Sequence, residues 1–146
     1  MRLTNFSDYS LRMLLYAATC RDRLITIEET ADLYGISRHH LMKVANQLTQ
    51  AGFLKAIRGR HGGLELARDA AEIRLGDVLR ATEPDFALVE CFAPVKPNGS
   101  VCRISASCRL RGVLAEALQA FMETMDRYTL ADVLLSPDDF GLQPAA

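Results

Sequence analysis

The sequence predicts a mainly α-helical protein with one small β-hairpin, built as a winged helix-turn-helix domain followed by a long C-terminal dimerisation helix. Three observations lead to this prediction: two helical patterns separated by a tight turn, a glycine-rich basic hairpin, and a long apolar stripe near the C-terminus. The chain has 146 residues, of which 49% are hydrophobic and 24% charged. This ordinary globular composition excludes extensive disorder and a purely coiled-coil protein.

The helix-turn-helix is predicted from signals at the helix ends. Ser7 or Asp8 is expected to cap the first helix, and the run 26–29 has the form of a capping box that opens the second. Gly35 suits the end of the second helix, and Ser37 is expected to cap the third, which runs to about Gln50. The third helix is expected to turn its apolar residues inward: Leu41, Val44, Ala45 and Leu48.

A β-hairpin, the wing, is predicted directly after the third helix. Residues 53–57 and 64–67 have strand patterns, and three of the six residues between them are glycines, which permit a close approach to a ligand. A short helix follows at 75–82. The predicted organisation is a winged helix-turn-helix domain at 1–83, a cysteine-bearing loop at 84–107, a dimerisation helix region at 108–135 and a flexible tail at 136–146.

The charge is unevenly distributed along the chain. Residues 33–64 contain no Asp or Glu, carry +5 and hold all three histidines. The remainder has 12 basic and 18 acidic residues and carries −6, so the whole chain has a net charge of −1. Such a patch is typical of a face that binds a polyanion, although basic patches also bind small anions and proteins. Together with the helix pair and the basic hairpin, it favours double-stranded DNA over a winged helix used for protein contact.

The third helix is expected to enter the major groove, where its outward residues read base edges or hold phosphates. The wing is expected to reach phosphates or a minor groove through its arginines. The predicted DNA-binding residues are Arg2, Ser37, Arg38, His39, His40, Lys43, Gln47, Arg58, Arg60, His61 and Gly62.

A long amphipathic helix is predicted from Cys108 to about Tyr128. Its apolar stripe repeats every three or four residues and consists of Leu110, Leu114, Leu118, Phe121 and Met125. Packing on the chain's own core accounts for part of this stripe, and pairing with a second copy would account for the rest. We therefore expect a symmetric homodimer on a palindromic operator, and a frayed tail after Pro137.

The four cysteines are expected to be reduced, because the chain has no signal peptide or membrane-spanning run and is therefore expected to be cytoplasmic. Cys20 is predicted to be a buried core residue. The other three share one loop-rich stretch that lacks the C-x2-C pair of a zinc ribbon: Cys91, Cys102 and Cys108. They could bind a soft metal or an iron–sulfur cluster, with Glu90 or Asp8 as an oxygen ligand, or be thiols without a ligand.

Several segments resemble the Rrf2 superfamily of winged-helix regulators, and within it the nitric-oxide-sensing repressors. The RG-x-x-GG motif at 58–63 and the three clustered cysteines indicate the superfamily. The Asp8-Tyr9 start, the segment LVECF at 88–92 and the segment DRYTLADV at 126–133 point to the nitric-oxide-sensing group. The resemblance covers about residues 1–135.

This resemblance implies an iron–sulfur cluster, [4Fe–4S] rather than [2Fe–2S], bound by Cys91, Cys102 and Cys108 with Asp8 of the partner subunit as the fourth ligand. It implies a transcriptional repressor that leaves its operator when nitric oxide damages the cluster. Regulators of cluster assembly in this superfamily use a His shortly after the third cysteine, where this chain has Arg111. The ten residues between Cys91 and Cys102 exceed the spacing of many relatives.

Two other hypotheses stay open at this stage. One is a regulator of the same superfamily that responds to iron or to cluster status. The other is a DNA-binding module that has no cofactor or is stabilised by zinc. An enzyme is not expected, because the sequence lacks a paired acid and base, a nucleophile elbow, a phosphate loop and an HExxH motif.

Overall fold

The computed structural model describes residues 2–94, 99 and 102–141. Within these residues, five α-helices and a two-stranded antiparallel sheet follow one another as α1 (Asn5–Thr19), α2 (Ile27–Tyr34), α3 (Arg38–Gln50), β1 (Leu54–Ile57), β2 (Gly63–Leu66), α4 (Leu75–Thr82) and α5 (Arg109–Arg127). Short 3₁₀ turns lie at Ala70–Glu72, Glu90–Phe92, Leu130–Val133 and Pro137–Phe140. The predicted fold class, a winged helix-turn-helix with a long C-terminal helix, is confirmed.

The helix-turn-helix packs around α1, which contacts α3 and α4. All four apolar residues predicted to face inward on α3 are buried: Leu41, Val44, Ala45 and Leu48. Gly35 has the left-handed φ of 63°, which lets α2 end and α3 begin with only three residues between them. Burial of these side chains fixes the rotation of α3 about its axis, and so decides which residues face outward.

The start of α1 differs from the prediction. Its cap is Thr4, whose hydroxyl accepts a hydrogen bond from the Ser7 amide at 3.3 Å. The Ser7 hydroxyl is buried against α4, where it bonds to the Thr82 hydroxyl at 2.8 Å. Asp8 pairs instead with Arg12, one helical turn later. Neither Ser7 nor Asp8 caps the helix, because their side chains make other contacts. The helix begins at Asn5, directly after its cap Thr4.

The wing is joined to the domain by a third backbone segment. β1 and β2 pair in antiparallel register, with Ile57 opposite Gly63. Ile25, in the loop after α1, exchanges two backbone hydrogen bonds with Leu64, at 2.9 and 2.8 Å. A Cβ at Gly63 would lie 2.6 Å from the Ile25 carbonyl oxygen, so only glycine allows this approach. The first residues of β2 therefore have a fixed position relative to the loop after α1.

α5 is joined to α4 near its C-terminal end. Arg80 donates two hydrogen bonds to the Asp126 carboxylate, at 2.7 and 2.6 Å. We call this ion pair the clasp. A Cβ at Gly76 would lie 1.9 Å from Asp126 Oδ1, so the clasp occupies the space above a glycine. Beyond the clasp, the Leu75 amide donates to the Tyr128 carbonyl at 3.0 Å. These contacts fix this end of α5 against the winged helix-turn-helix.

The apolar stripe of α5 is only partly covered. Leu110 and Val113, in its first two turns, are 64% and 60% exposed. The rest of the stripe is half-buried: Leu114, Leu118, Phe121 and Met125. The chain's own core thus covers the clasp end better than the end next to the cysteines. Among the helices of the described residues, none is long and apolar enough to cross a membrane.

The C-terminal segment is more ordered than the sequence predicts. Pro137–Phe140 forms a 3₁₀ turn, and the ring of Phe140 packs 5.6 Å from Tyr16 and 6.4 Å from Tyr34. Burial raises the pKa of Tyr34 to about 12. One aromatic residue docks this segment against α1 and α2, and such a contact between distant residues leaves no periodic signal in the sequence. Residues 142–146 of the predicted tail lie outside the described residues.

Candidate nucleic-acid interface and cysteine segment

The start of α3 forms an exposed polar and basic surface. Five predicted DNA-binding residues are exposed there: Ser37, Arg38, His39, His40 and Lys43. Arg38 forms an ion pair with Glu28 of α2. Residues 33–64 contain no acidic residue, but this glutamate lies next to them in the folded protein. Both side chains are mostly exposed, and such pairs contribute little stability. Arg38 can therefore exchange Glu28 for a DNA phosphate at small cost.

Gln47 does not share the full exposure of these residues. It is partly buried, and its Nε2 donates to the Ala81 carbonyl oxygen at 3.1 Å. The bond ties α3 to the C-terminal turn of α4 and engages the amide group that was expected to read a base. The two residues are 34 positions apart, so the spacing pattern within α3 alone gave no sign of this contact.

Two exposed residues in the middle of α3 were missed by the sequence prediction. Met42 is 51% exposed, and Asn46 is also exposed. They lie on the same face as His39 and Lys43, because residues three and four apart are neighbours on a helix. The signal was present in the sequence, since these positions lie opposite the inward-facing residues once the helical period is applied.

The turn of the wing combines basic side chains with a closely packed backbone. Arg58, Arg60 and His61 are exposed in the turn. Gly62 has no space for a side chain, because a Cβ there would lie 2.3 Å from the Ile57 carbonyl oxygen. The glycine thus shapes the turn and contributes only backbone to a ligand, while the three neighbouring side chains supply the charge and hydrogen-bond donors.

Replacing Arg60 with alanine is expected to weaken binding to all DNA sequences by a similar factor, because a phosphate contact carries no sequence information. The slope of log Kobs against log salt concentration should become shallower by about 1. Anisotropy titrations of an operator and an unrelated duplex at several salt concentrations measure both effects. The matched control is Arg127→Ala, which removes one exposed charge at the far end of α5. An unchanged salt slope for the Arg60 variant would contradict the phosphate contact.

Arg2 lies in a different environment from the α3 residues. It lines a groove between the amino-terminal segment, residues 83–88 and α5. Its guanidinium donates to the Asn5 side-chain oxygen at 2.7 Å. The segment is held there because the Thr4 amide donates to the Glu83 carboxylate at 2.8 Å. The structure therefore groups Arg2 with the junction between the domain and α5.

The three clustered cysteines lie in the segment that connects α4 to α5. Cys91 is exposed in the turn Glu90–Phe92, Cys102 is exposed, and Cys108 is half-buried directly before α5. All three are free thiols, a donor set that suits iron–sulfur ligation by its chemistry. Within residues 2–94, 99 and 102–141, no three metal-ligating side chains are close enough together to hold a metal ion. Ligation by all three would therefore require this segment to change conformation.

Cys108 also borders a groove. The groove has a volume of about 770 Å³ and runs along α5. Phe92 from the turn that carries Cys91 and Ser105 from the turn before α5 line the same groove. Two parts of the cysteine segment thus already face one space, although the thiols themselves do not converge.

Asp8 lies on α1, apart from these cysteines in its own chain. Its carboxylate accepts a hydrogen bond from Arg12 at 2.9 Å, and this bond raises the pKa of Arg12. The side chain of Asp8 remains 43% exposed. The ring of Tyr9, the next residue, lies 6.3 Å from that of His40 on α3. The candidate fourth ligand is therefore accessible from outside the chain and close to the start of α3.

Cys20 is buried, as predicted. It is 8% exposed and belongs to the hydrophobic core around α1. Burial raises the pKa of its thiol, which disfavours the thiolate that metal binding requires. Cys20 is therefore a packing residue, distinct from the three cysteines before α5.

Fold and exposed surface together define a winged-helix transcriptional regulator. The family model described as "Rrf2: Iron-dependent Transcriptional regulator" matches residues 3–135, and the chain belongs to this family. It is 42% identical over 140 residues to the HTH-type transcriptional regulator NsrR of Shouchella clausii (strain KSM-K16), covering 95% of this chain and 92% of that protein. These matches confirm the resemblance inferred from the sequence, and with it a DNA-binding regulator rather than an enzyme.

Solved structures show the same fold. A putative transcriptional regulator from Listeria innocua is 28% identical, with a TM-score of 0.72 over 91% of this chain and 85% of that chain. CymR (YrzC), the global cysteine regulator of B. subtilis, is 23% identical, with a TM-score of 0.70 over 91% of this chain and 95% of that one. IscR of T. potens is 22% identical, with a TM-score of 0.71 over 100% of this chain and 93% of that one. The last two likenesses concern the fold alone.

Proposed function

We propose that this protein is a dimeric repressor that senses nitric oxide through an iron–sulfur cluster and leaves its operator when the cluster is damaged. The observation that carries this proposal is the placement of three free thiols in the segment that connects α4 to α5, in a chain 42% identical to an NsrR protein. The cluster ligands are Cys91, Cys102 and Cys108 of one chain and Asp8 of the partner subunit. A [4Fe–4S] cluster is preferred to a [2Fe–2S] cluster.

The DNA-binding surface of the proposal combines α3 and the wing. The exposed basic and polar residues on these two elements supply phosphate contacts and base contacts: Ser37, Arg38, His39, His40, Lys43, Arg58, Arg60 and His61. Gly62 adds backbone contacts at the tip of the wing, and Arg2 adds charge from the amino-terminal segment. Because α3 has its apolar face buried in the domain, its opposite face is the one that can enter a major groove.

The homodimer of the proposal is formed through α5. Leu110 and Val113 are exposed apolar residues at the start of this helix. In a two-fold dimer, the same residues of a second copy would bury them. A two-fold dimer carries two recognition helices, which is the arrangement that a palindromic operator requires. In such a dimer an accessible Asp8 can reach the cysteine segment of the partner chain.

The two ends of α5 then have different roles. Cys108 is the residue immediately before the helix, so ligation at this thiol holds the amino-terminal end. The clasp holds the other end on the winged helix-turn-helix. When bound, the cluster supplies iron that reacts with nitric oxide. The protein's contribution is to hold α5 and Asp8 in one arrangement while all four ligands are engaged, and to relax when they are not.

An anaerobic nitric oxide titration of the purified protein tests this function. The visible absorption of the cluster is expected to change with added nitric oxide, and operator affinity is expected to fall over the same range. Absorption that does not change, or operator binding that is independent of it, would contradict the proposal. A colourless protein that contains zinc and still binds its operator would instead support a zinc-stabilised DNA-binding module.

A second candidate function is regulation by iron or by cluster status. The description of the matching family as iron-dependent favours it. In that case iron removal by a chelator lowers operator affinity under anaerobic conditions, whereas nitric oxide at stoichiometric amounts leaves it unchanged. The same preparation therefore separates the two signals.

A further inference from the structure

The outward face of α3 is defined by what the helix buries. Leu41, Val44, Ala45 and Leu48 form the buried stripe, and at 3.6 residues per turn the opposite side is centred between Lys43 and Asn46. His39, Met42 and Gln50 lie on the same side, because each is three or four residues from Lys43 or Asn46. All five of these outward residues are exposed. From His39 to Asn46 they extend over about 10 Å, comparable to the rise of three base pairs.

The side chains of this face differ in what they can recognise. Lys43 is a flexible point charge that suits phosphate. Asn46 has a carboxamide, whose donor and acceptor match the N6 and N7 edge of adenine. Met42 is a large apolar side chain, 51% exposed on an otherwise polar face, and thymine offers an apolar methyl group in the same groove.

Two other carboxamides lie near this face. Gln50 is the last residue of α3, farther from the amino-terminal part of a recognition helix that contacts base edges. Gln47 already has a partner. Its Nε2 donates to the Ala81 carbonyl oxygen at 3.1 Å and the side chain is partly buried. To read a base, Gln47 would have to give up a bond that ties α3 to α4. Asn46 requires no such exchange of a bond to α4, and it lies on the face directly opposite the core.

We propose that Asn46 reads an adenine through its N6 and N7 atoms and that Met42 packs on the methyl group of a thymine in a neighbouring base pair. The two residues are four positions apart and therefore adjacent on the helix surface. Each half-site of the operator then contains A·T pairs at two neighbouring positions. This assignment rests on the proposed function, since it takes α3 as the recognition helix, and it transfers base reading from Gln47 to Asn46.

Modified bases test the assignment atom by atom. The operator is first selected from random duplexes with the wild-type holo-dimer, and each adenine is then replaced by 7-deazaadenine, which lacks the N7 acceptor. One adenine in each half-site is expected to lower wild-type affinity about ten- to hundredfold when replaced. Asn46→Ala should bind the normal and the modified duplex equally weakly. Gln47→Ala, the matched control, should keep the wild-type sensitivity.

Met42 is tested by replacing each thymine with uracil, which removes only the methyl group. One position should weaken the wild type and leave Met42→Ala unaffected. Asn46→Asp provides a second variant of nearly the same size, which is expected to shift the preferred base from adenine to cytosine, because a carboxylate accepts from cytosine N4. Circular dichroism and thermal melting confirm that each variant is folded.

The outcomes separate this assignment from the proposed function. If Asn46→Ala keeps its sensitivity to 7-deazaadenine, or Gln47→Ala loses it, the assignment is overturned while the repressor proposal stands. If the wild-type holo-dimer selects no sequence, both are overturned.

Discussion

Replacing Cys102 with alanine is expected to abolish the visible absorption of the anaerobically purified protein and to weaken its binding to operator DNA. With one thiolate removed, two cysteines and a carboxylate remain, which is too few strong ligands for a stable cluster. Cys102 is exposed, so its loss creates no cavity and costs little folding stability. The variant therefore isolates the effect of ligation from the effect of folding. Absorption spectra and operator titrations measure the two expected losses.

Cys20→Ala is the matched control for this experiment. This cysteine is buried in the core, so its replacement is expected to lower the free energy of unfolding modestly and to leave the absorption spectrum unchanged. A colourless Cys102→Ala protein with unaltered operator affinity would refute control by a cluster. A coloured Cys102→Ala protein would remove this residue from the ligand set.

Replacing Gly76 with alanine is expected to lower the free energy of unfolding by up to about 1 kcal/mol, because the added Cβ displaces the ends of two flexible, partly exposed side chains. The added Cβ would lie 1.9 Å from Asp126 Oδ1 and 3.1 Å from the Arg80 guanidinium, so the clasp must open. Both charged side chains are partly exposed, which limits what the ion pair itself contributes. Alanine also favours a helix over glycine by up to about 1 kcal/mol, which offsets part of the loss.

A double-mutant cycle identifies the clash as the cause. In an Asp126→Ala background the same Gly76→Ala change meets no carboxylate, and it is expected to be neutral or slightly stabilising. Urea unfolding at one fixed protein concentration measures the four free energies, because the apparent stability of the proposed dimer would depend on concentration. Equal destabilisation in both backgrounds would show that the clasp is not what Gly76 makes room for.

The clasp also predicts a pH dependence. The hydrogen bonds from Arg80 hold the pKa of Asp126 below its ordinary value. A carboxyl group whose pKa is lowered in the folded state stabilises the protein above its unfolded pKa, and loses this effect as the pH falls through the lowered value. The stability difference between the wild type and Asp126→Asn should therefore diminish in acid.

The sequence predicted the helices and the wing well, because these depend on local periodicity. Leu41, Val44, Ala45 and Leu48 are buried as their spacing indicated, and Gly35 makes the turn that its type suggested. The details that were not predicted involve residues far apart in the chain. The Gln47 bond to Ala81 and the docking of Phe140 on Tyr16 each depend on tertiary contacts, which no local pattern encodes.

The sequence predicted which residues belong to the candidate site, but not how they are arranged in space. The basic residues of the wing are exposed, as the charge pattern indicated. The ion pair of Arg38 with Glu28 was not predicted, because Glu28 lies outside the basic stretch 33–64. For Cys91, Cys102 and Cys108, clustering in sequence gave the candidates. It could not give their separation in space, because spacing along a loop does not determine the loop conformation, and in the proposed holo-dimer ligation and the partner chain would influence it.

The clasp holds α5 near its C-terminal end, so the helix acts as a lever that pivots at this point. From Arg109 to Asp126 the helix extends over about 25 Å. A rotation of about 10° about the clasp would move the cysteine end by roughly 4 Å, a third of the width of a major groove. A small rotation of α5 at the clasp thus produces a large displacement at the cysteine end. A displacement of the cysteine end, in turn, requires only a small rotation at the clasp. Substitutions at Gly76 or Arg80 should therefore alter the spacing between half-sites that the dimer prefers, without touching a base or a thiol.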